Sequence, residues 1–242
     1  MFDVILCEGE TDAILISYYV NKMMGFEYEK NGKNRYPKIN DKTNWYMNQL
    51  GHLLAICPVG GSDFQSDVKK IIKYNEMANE GESFHRIILV MDNDDETINN
   101  NIKSIGVHLK CERELKAGVW ESFPYTNSFS GEMLGKIACI LQPNDEYGAL
   151  ETFVLHALCK DDNDATEVVR QVKIFVSDFK SKKFLQHRRD KIKAQLSVSL
   201  SVMYPSRTFT TINEFLKSIE WSDYQIFQQQ FKIFNELNDT SK

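Results

Sequence analysis

Four stretches of the chain are apolar without interruption: Val4–Cys7, Leu53–Cys57, Ile87–Met91 and Ile137–Leu141. Each is too short for a typical helix and lacks polar alternation, as expected of a strand covered on both faces. Between them the period changes. Asp12–Met24 is apolar nearly all round, with Thr11 as a candidate N-cap. Phe64, Val68, Ile71 and Ile72 lie on one helical stripe, with Ser62 or Asp63 available as its cap. Strand alternating with helix predicts an α/β fold: a parallel sheet of about four strands flanked by helices. After Leu141 helical periodicity takes over. Leu150, Phe153, Val154, Ala157 and Leu158 make one apolar face, Leu185, Ile192, Leu196 and Leu200 a second, and Tyr224, Phe227, Phe231 and Phe234 a third. The predicted division is an α/β domain over residues 1–145 and a helical C-terminal part over 146–242 packed on it, or a single domain containing both. Glu27–Asn44, rich in Lys, Asn and Gly, reads as a long polar loop.

Composition narrows the class of protein. With 242 residues, 42% of them hydrophobic and 12% aromatic, the chain can bury an ordinary core. No apolar run approaches the ~20 residues that span a bilayer, and the start lacks a signal-type pattern, so the expectation is a cytoplasmic protein without a membrane partner. Cys7, Cys57, Cys111, Cys139 and Cys159 are odd in number and contain no C-x-x-C pair, which predicts reduced thiols rather than disulfides or a zinc framework. Three of them sit inside the apolar runs as small core residues. The formal net charge of -5 argues against a general coat of positive potential, so any nucleic-acid contact must come from local basic clusters.

The chemistry gathers at the ends of the strands. Glu8 follows the first apolar run, and Asp92 follows the third in "ILVMDNDDE", with Asp94 two residues on. Ligands of open parallel sheets bind outside the carboxyl ends of the strands. If the first and third strands are neighbours, Glu8, Asp92 and Asp94 converge there, and carboxylates so placed raise one another's pKa unless a cation sits among them. Hard oxygen donors of this kind suit Mg2+ or Mn2+. Gly9 permits a close turn beside the site, and the helix start behind it offers N–H groups to an anion. Gly60 and Gly61, after the second strand, reach the same edge, either as a plain tight turn or as a phosphate contact. Other readings of these acids fail on spacing. A P-loop, G-x-x-x-x-G-K-[ST], is missing, and an EF-hand starting at Asp92 would need glycine where Thr97 stands. The histidines are isolated and no serine lies in G-x-S-x-G.

"EGETD" after the first strand, "ICPVGGSDF" after the second and "DND" after the third together resemble the Toprim domain of primases, topoisomerases and OLD-type nucleases. More narrowly, "LQPNDEYGALETFVLHAL" and "DKIKAQLSVSL" make the chain similar to stand-alone Toprim-like proteins related to the OLD nucleases. The strong motifs cover residues 1–100, and the part beyond Ser201 carries little of the likeness. The resemblance implies a Toprim-like sheet and a metal-dependent phosphoryl-transfer site. Glu8 corresponds to the general acid/base or metal-binding glutamate, Asp92 and Asp94 to metal-holding aspartates, and Asp12 to the second acid of the first motif. Glu151 and Lys193 are candidates for the later acid and lysine that complete a site for two Mg2+ or Mn2+ ions. The implied substrate is nucleic acid, DNA ahead of RNA. Since the P-loop is missing, any ATPase would be a separate partner.

Two basic clusters remain open to two readings. Lys180, Lys182, Lys183, Arg188, Arg189, Lys191 and Lys193 form either a solvated helix face or a phosphate-tracking strip. Lys30, Lys33, Arg35 and Lys38, beside Tyr36 and Trp45, form either a soluble loop or a second nucleic-acid contact. Two function classes result: a metal-dependent nuclease-like enzyme, or a binding module that keeps the scaffold without cleaving.

Overall fold

Apolar residues at every position leave a strand no wet face, so such a strand must lie inside a sheet with helices on both sides. β1 (Phe2–Cys7) is of this kind, buried along its whole length. The structure, a computed structural model, describes residues 2–238 apart from 61–62, 80, 94–96, 145, 161, 180–182, 208–210, 219 and 221–222. After β1 come α1 (Glu10–Met24), β2 (Glu27–Tyr28), the single turn α2 (Gly32–Arg35), β3 (Asn44–Met47) and β4 (Leu53–Pro58). α3 (Phe64–Asn75), β5 (Phe84–Asp92) and α4 (Ile98–Leu109) come next, then the hairpin of β6 (Trp120–Asn127) and β7 (Gly131–Gln142). The rest is helical: α5 (Leu150–Cys159), α6 (Asn163–Asp178), α7 (Arg188–Met203), α8 (Ile212–Ser218), α9 (Gln225–Gln230) and a closing 3-10 segment, Lys232–Asn238. No described helix is long and apolar enough to cross a membrane.

The protein is therefore mixed α/β, with one sheet of seven strands in the order β2-β3-β4-β1-β5-β7-β6. The four predicted runs are its centre, β4-β1-β5-β7, all parallel. The expected count of about four is short by three: β2 and β3 on one edge and β6 on the other, each joined to its neighbour by antiparallel pairing. These edge strands have one dry face at most, so they lack continuous apolar runs. β6 shows the alternation in its second half and tolerates Pro124, as an edge allows.

Side chains alternate across the central strands. Ile5, Cys7, Ile88, Val90, Ala138 and Ile140 face α1, α5 and the C-terminal helices. Val4, Leu6, Leu89, Met91, Ile137 and Cys139 face the opposite layer, which holds α3 and α4. Cys7, Cys57 and Cys139 are buried, and all five thiols are free. The C-terminal aromatics close the first layer: Phe153 meets Phe227 at 4.5 Å, and Tyr19 meets Phe231 at 5.0 Å. The predicted third apolar face spans α9 and the 3-10 segment rather than one helix, and Leu185 of the second face precedes α7.

Three local expectations are corrected. α1 starts at Glu10, not Asp12, and its N-cap is Gly9, not Thr11, because the Asp12 carboxylate accepts the Gly9 N–H at 2.9 Å. Asp63 caps α3 through Ser66 N, while Ser62 lies outside the described residues. The Glu27–Asn44 stretch is not a bare loop: it contains β2 and α2, and it folds over Trp45. That ring is fully buried, stacked on Phe84 at 5.9 Å. Trp45 is thus a core residue and cannot present a face to a base.

At the opposite end of the sheet from Glu8, Asp3 is 1% exposed and meets Arg86 through Nε and Nη2, the latter at 2.7 Å. His52 Nε2 lies 2.9 Å from the same carboxylate. Arg86 also donates to the carbonyls of Glu236 and Leu237, pinning the closing segment beneath the strands. Removing one member of a buried pair strands the other charge in a dry site. Arg86→Ala is therefore expected to destabilise the fold by about 3–5 kcal/mol in urea unfolding. The double replacement Asp3→Leu/Arg86→Met should lose far less. Equal losses would show that Arg86 acts through the chain end it packs against rather than through charge.

Candidate functional site

The register Cys7↔Val90 between β1 and β5 brings the ends of two apolar strands side by side. Glu8 then projects across the end of β5, where its Oε1 accepts the backbone N–H of Asp92 at 3.0 Å. Both carboxylates are almost covered, with side chains 12% and 10% exposed. Their charge is met by Arg189, whose Nη2 stands 3.0 Å from Glu8 Oε2 and 2.5 Å from Asp92 Oδ2. Arg189 was expected to belong to a phosphate-tracking strip; instead its guanidinium bridges the two acids. α7 explains the split. Arg189 and Lys193, four residues apart, line the cavity, while Arg188 and Lys191 do not.

A cavity of about 300 Å3 opens here, walled by Glu8, Asp12, Asp92, Glu151, Arg189 and Lys193, with Gly9 and Gly60 at its rim. The cavity thus gathers most of the predicted site residues. Asp94, Gly61 and Lys182 lie outside the described residues. Lys183 does not line the cavity, and its ammonium stands over the Phe184 ring at 5.2 Å.

The amides of Gly9 and Gly60 are both engaged within the chain, and of the two readings of Gly60 its geometry supports the tight turn. Gly9 N–H is taken by Asp12, and Gly60 N–H is donated to the Glu8 carbonyl at 3.0 Å. Gly60 is needed for a different reason: its φ of 79° is left-handed. That turn, with Val59 N–H on the Cys7 carbonyl at 2.8 Å, ties the end of β4 to the end of β1.

Asp12 behaves differently from its neighbours. Burial raises its pKa to about 6, the charges of Glu8 and Glu151 add to the rise, and the Gly9 N–H opposes it. Its Oδ1 accepts from Gln142 Nε2 at 3.3 Å, while Gln142 Oε1, buried, has no hydrogen-bond partner among the described residues. Turning that amide over would let a protonated Asp12 donate to it. Beneath the site, burial foremost and then Asp12 push the Cys7 thiol well above its ordinary range.

Sequence reasoning passed over two positioning residues, Gln142 and Asn93. Asn93 N–H donates to Gln142 O, its side chain donates to the carbonyls of Pro143 and Glu146, and its carbonyl accepts Gly148 N–H. It thereby sets the loop that delivers Glu151 at the start of α5. The middle position of "DND" was the available signal.

The donor set is made of hard carboxylate oxygens, and Arg189 already stands as a cation between two of them, so the residues fit a divalent cation that takes Arg189's place. Among the described residues, no group of three or more His, Cys, Asp or Glu is gathered tightly enough to hold a metal ion as they stand. The bridge itself is weak: Arg189 is half exposed, and such pairs contribute on the order of 1 kcal/mol or less.

Fold and site define a mixed α/β protein with an acid-walled cavity at the carboxyl ends of a parallel sheet core. The chain belongs to the family described as protein of unknown function (DUF3226), whose model matches residues 3–238. No curated protein matches it. Among solved structures it is similar to the crystal structure of hypothetical protein PH0156 from Pyrococcus horikoshii OT3, at 13% identity and a TM-score of 0.48, covering 96% of this chain and 98% of that one.

The raised pKa of Asp12 carries a signed pH dependence. Its value in the fold, about 6, lies above that of an unfolded aspartate, ~4. Between those values the native state holds a proton the unfolded chain has released, so stability falls as pH rises through this window and the full penalty remains above it. Asp12→Asn should raise stability at pH 7.5 by on the order of 2 kcal/mol, a gain that shrinks towards pH 4 in metal-free urea titrations. A gain independent of pH would contradict the assignment.

Proposed function

We propose that this protein is a metal-dependent phosphodiester-cleaving enzyme acting on nucleic acid, DNA ahead of RNA. The observation that carries the reading is the meeting of Glu8 and Asp92, 84 residues apart in sequence, on one cationic group at the wall of a cavity that also holds Glu151 and Lys193. The resemblance of "EGETD" and "DND" to Toprim domains supports the same chemistry. A cytoplasmic setting, in which the five thiols stay reduced, and a separate ATPase partner belong to this proposal.

In this reading Glu8, Asp92 and Asp94 hold Mg2+ or Mn2+, as two ions when Asp12 and Glu151 contribute. Bound there, the metal supplies Lewis acidity that activates water and stabilises the leaving oxygen. The chain's own groups do the rest. Glu8, locked by the Asp92 N–H through one oxygen, keeps the other facing the cavity. Lys193, which makes no ion pair or hydrogen bond among the described residues, is available to a phosphate oxygen on which charge develops. Arg189, released from the carboxylates, becomes a phosphate-binding group at the same mouth. A second reading, a binding module without cleavage, is favoured by the Arg189 bridge itself, which neutralises the acids without any metal.

Millimolar Mn2+ or Mg2+ should raise the melting temperature by preferential binding to the folded chain, and plasmid or single-stranded DNA should be cut only in its presence. Asp92→Asn should lose both effects and Glu8→Gln the cleavage. Arg189→Ala, which removes the competing cation, should bind Mn2+ several-fold more tightly. If neither the parent nor Arg189→Ala responds to metal, the reading fails; a metal response with nucleic-acid binding and no cleavage favours the second reading.

A further inference from the structure

The acidic cavity does not end at Glu151 and Lys193. Both residues, with Thr11 and Leu150, also line a second cavity of about 400 Å3, so the two spaces share one wall. The chemistry changes across that wall. On the far side lie Val154, Leu196, Leu200, Phe215 and Leu216, joined by the Tyr204 ring, whose centre is 5.3 Å from that of Phe215. Val154, Leu196, Phe215 and Leu216 are buried, so this lining is an extension of the core opened to a ligand. Polar groups are few and lie along its margin: Ser197, Ser201 and Arg207. A volume in the range of roughly 300–1,000 Å3, apolar walls and a few convergent polar groups are the marks of a small-molecule site.

The order of features along the joined cavities reads as the outline of a ligand. An anionic end meets Lys193 beside the carboxylates and, beyond it, a flat apolar body with polar edges meets an aromatic wall. Glu151 and Lys193 make no ion pair or hydrogen bond among the described residues, so neither has to be freed before a ligand enters. A nucleobase fits this pattern: its faces stack on aromatic rings and its edge satisfies hydroxyls and a guanidinium. Ser201 already donates to the Ser197 carbonyl at 2.9 Å and Arg207 Nη1 to Ser218 Oγ at 2.9 Å, which leaves the Ser197 hydroxyl and the other guanidinium N–H groups to a base edge, a partner that an acyl chain lacks.

We infer that the cavity walled by Leu200, Tyr204 and Phe215 is a nucleobase pocket contiguous with the acidic site, so that the unit recognised is one unpaired nucleotide, at a strand end or turned out of the stack. The inference rests on the phosphoryl-transfer reading and names its substrate class: a nucleotide whose phosphate lies at Lys193 and whose base lies on Tyr204. A base held inside a duplex cannot enter such a pocket without leaving its partner.

The test uses the full chain and three probes, thymidine 5′-monophosphate, 2-deoxyribose 5-phosphate and octyl phosphate, titrated calorimetrically with and without Mn2+. The mononucleotide should bind at least tenfold more tightly than the sugar phosphate. Ser197→Trp, at an exposed position on the pocket margin, should erase that difference while leaving the Mn2+-induced rise in melting temperature intact, and Tyr204→Ala should reduce it several-fold. Equal affinity for nucleotide and sugar phosphate, tighter binding of octyl phosphate, or indifference to Ser197→Trp would each overturn the pocket assignment. Loss of the Mn2+ response in the parent protein, with base-dependent binding retained, would instead overturn the phosphoryl-transfer reading alone.

Discussion

Two carboxylates brought to neighbouring strand ends in a nearly dry site need a positive charge between them, and this requirement organises the site. Glu8 and Asp92 arrive together because β1 and β5 are parallel and in register. Their counter-charge comes from Arg189 in α7, far along the chain and at the other side of the cavity. The interaction therefore joins the sheet to the helical C-terminal part at the point where chemistry is available. Its partner on the helix is half exposed, so the contact is strong enough to orient and weak enough to exchange. Asp12, in the first turn of α1, has no cationic partner among the described residues, and burial first, then the charges of Glu8 and Glu151, raise its pKa.

Around this contact the molecule divides its polar work by position. At one end of the sheet Asp3, Arg86 and His52 form a buried cluster whose purpose is structural, holding the closing 3-10 segment under the strands. At the other end the acids face a cavity and remain only partly compensated. A stable fold can leave charges incompletely matched where a ligand enters, provided the rest of the sheet is fully satisfied. The loop after β7 is held by two side-chain amides, Gln230 and Asn93. Gln230 of α9 donates to the Leu141 carbonyl at 2.6 Å while Asn93 holds the next turn, and Glu151 comes after it at the head of α5.

Reading residues for function and then placing them in space changes their roles more than their membership. Glu8, Asp12, Asp92, Glu151, Arg189 and Lys193 all reach one cavity. Arg189, however, serves as counter-ion to the acids rather than as part of an open basic strip, and the amides of Gly9 and Gly60 close turns instead of facing an anion. Trp45 and its basic neighbours looked like a contact surface because aromatic and basic residues are adjacent in sequence. Burial of the ring against Phe84 withdraws Trp45 from such a surface, while Lys30, Arg35 and Lys38 stay exposed. Gln142 carried no signal of its own and Asn93 only its place in "DND", since a neutral amide gains meaning from the carbonyls and carboxylate around it.

Residue order alone was enough to settle the four central strands, the helical character of the C-terminal part and the carboxylates at the strand ends. Continuous apolar runs and helical periodicity are local patterns, and a strand buried on both faces leaves an unmistakable one. The edge strands, the pairing of Arg189 with Glu8 and Asp92, the adjacency of the acidic and apolar cavities along Glu151 and Lys193, and the cluster at Asp3 came only with the packed, three-dimensional arrangement. Each of these depends on which distant residues meet across the core, and the free energy of a charge or an amide is set by those neighbours rather than by its place in the chain.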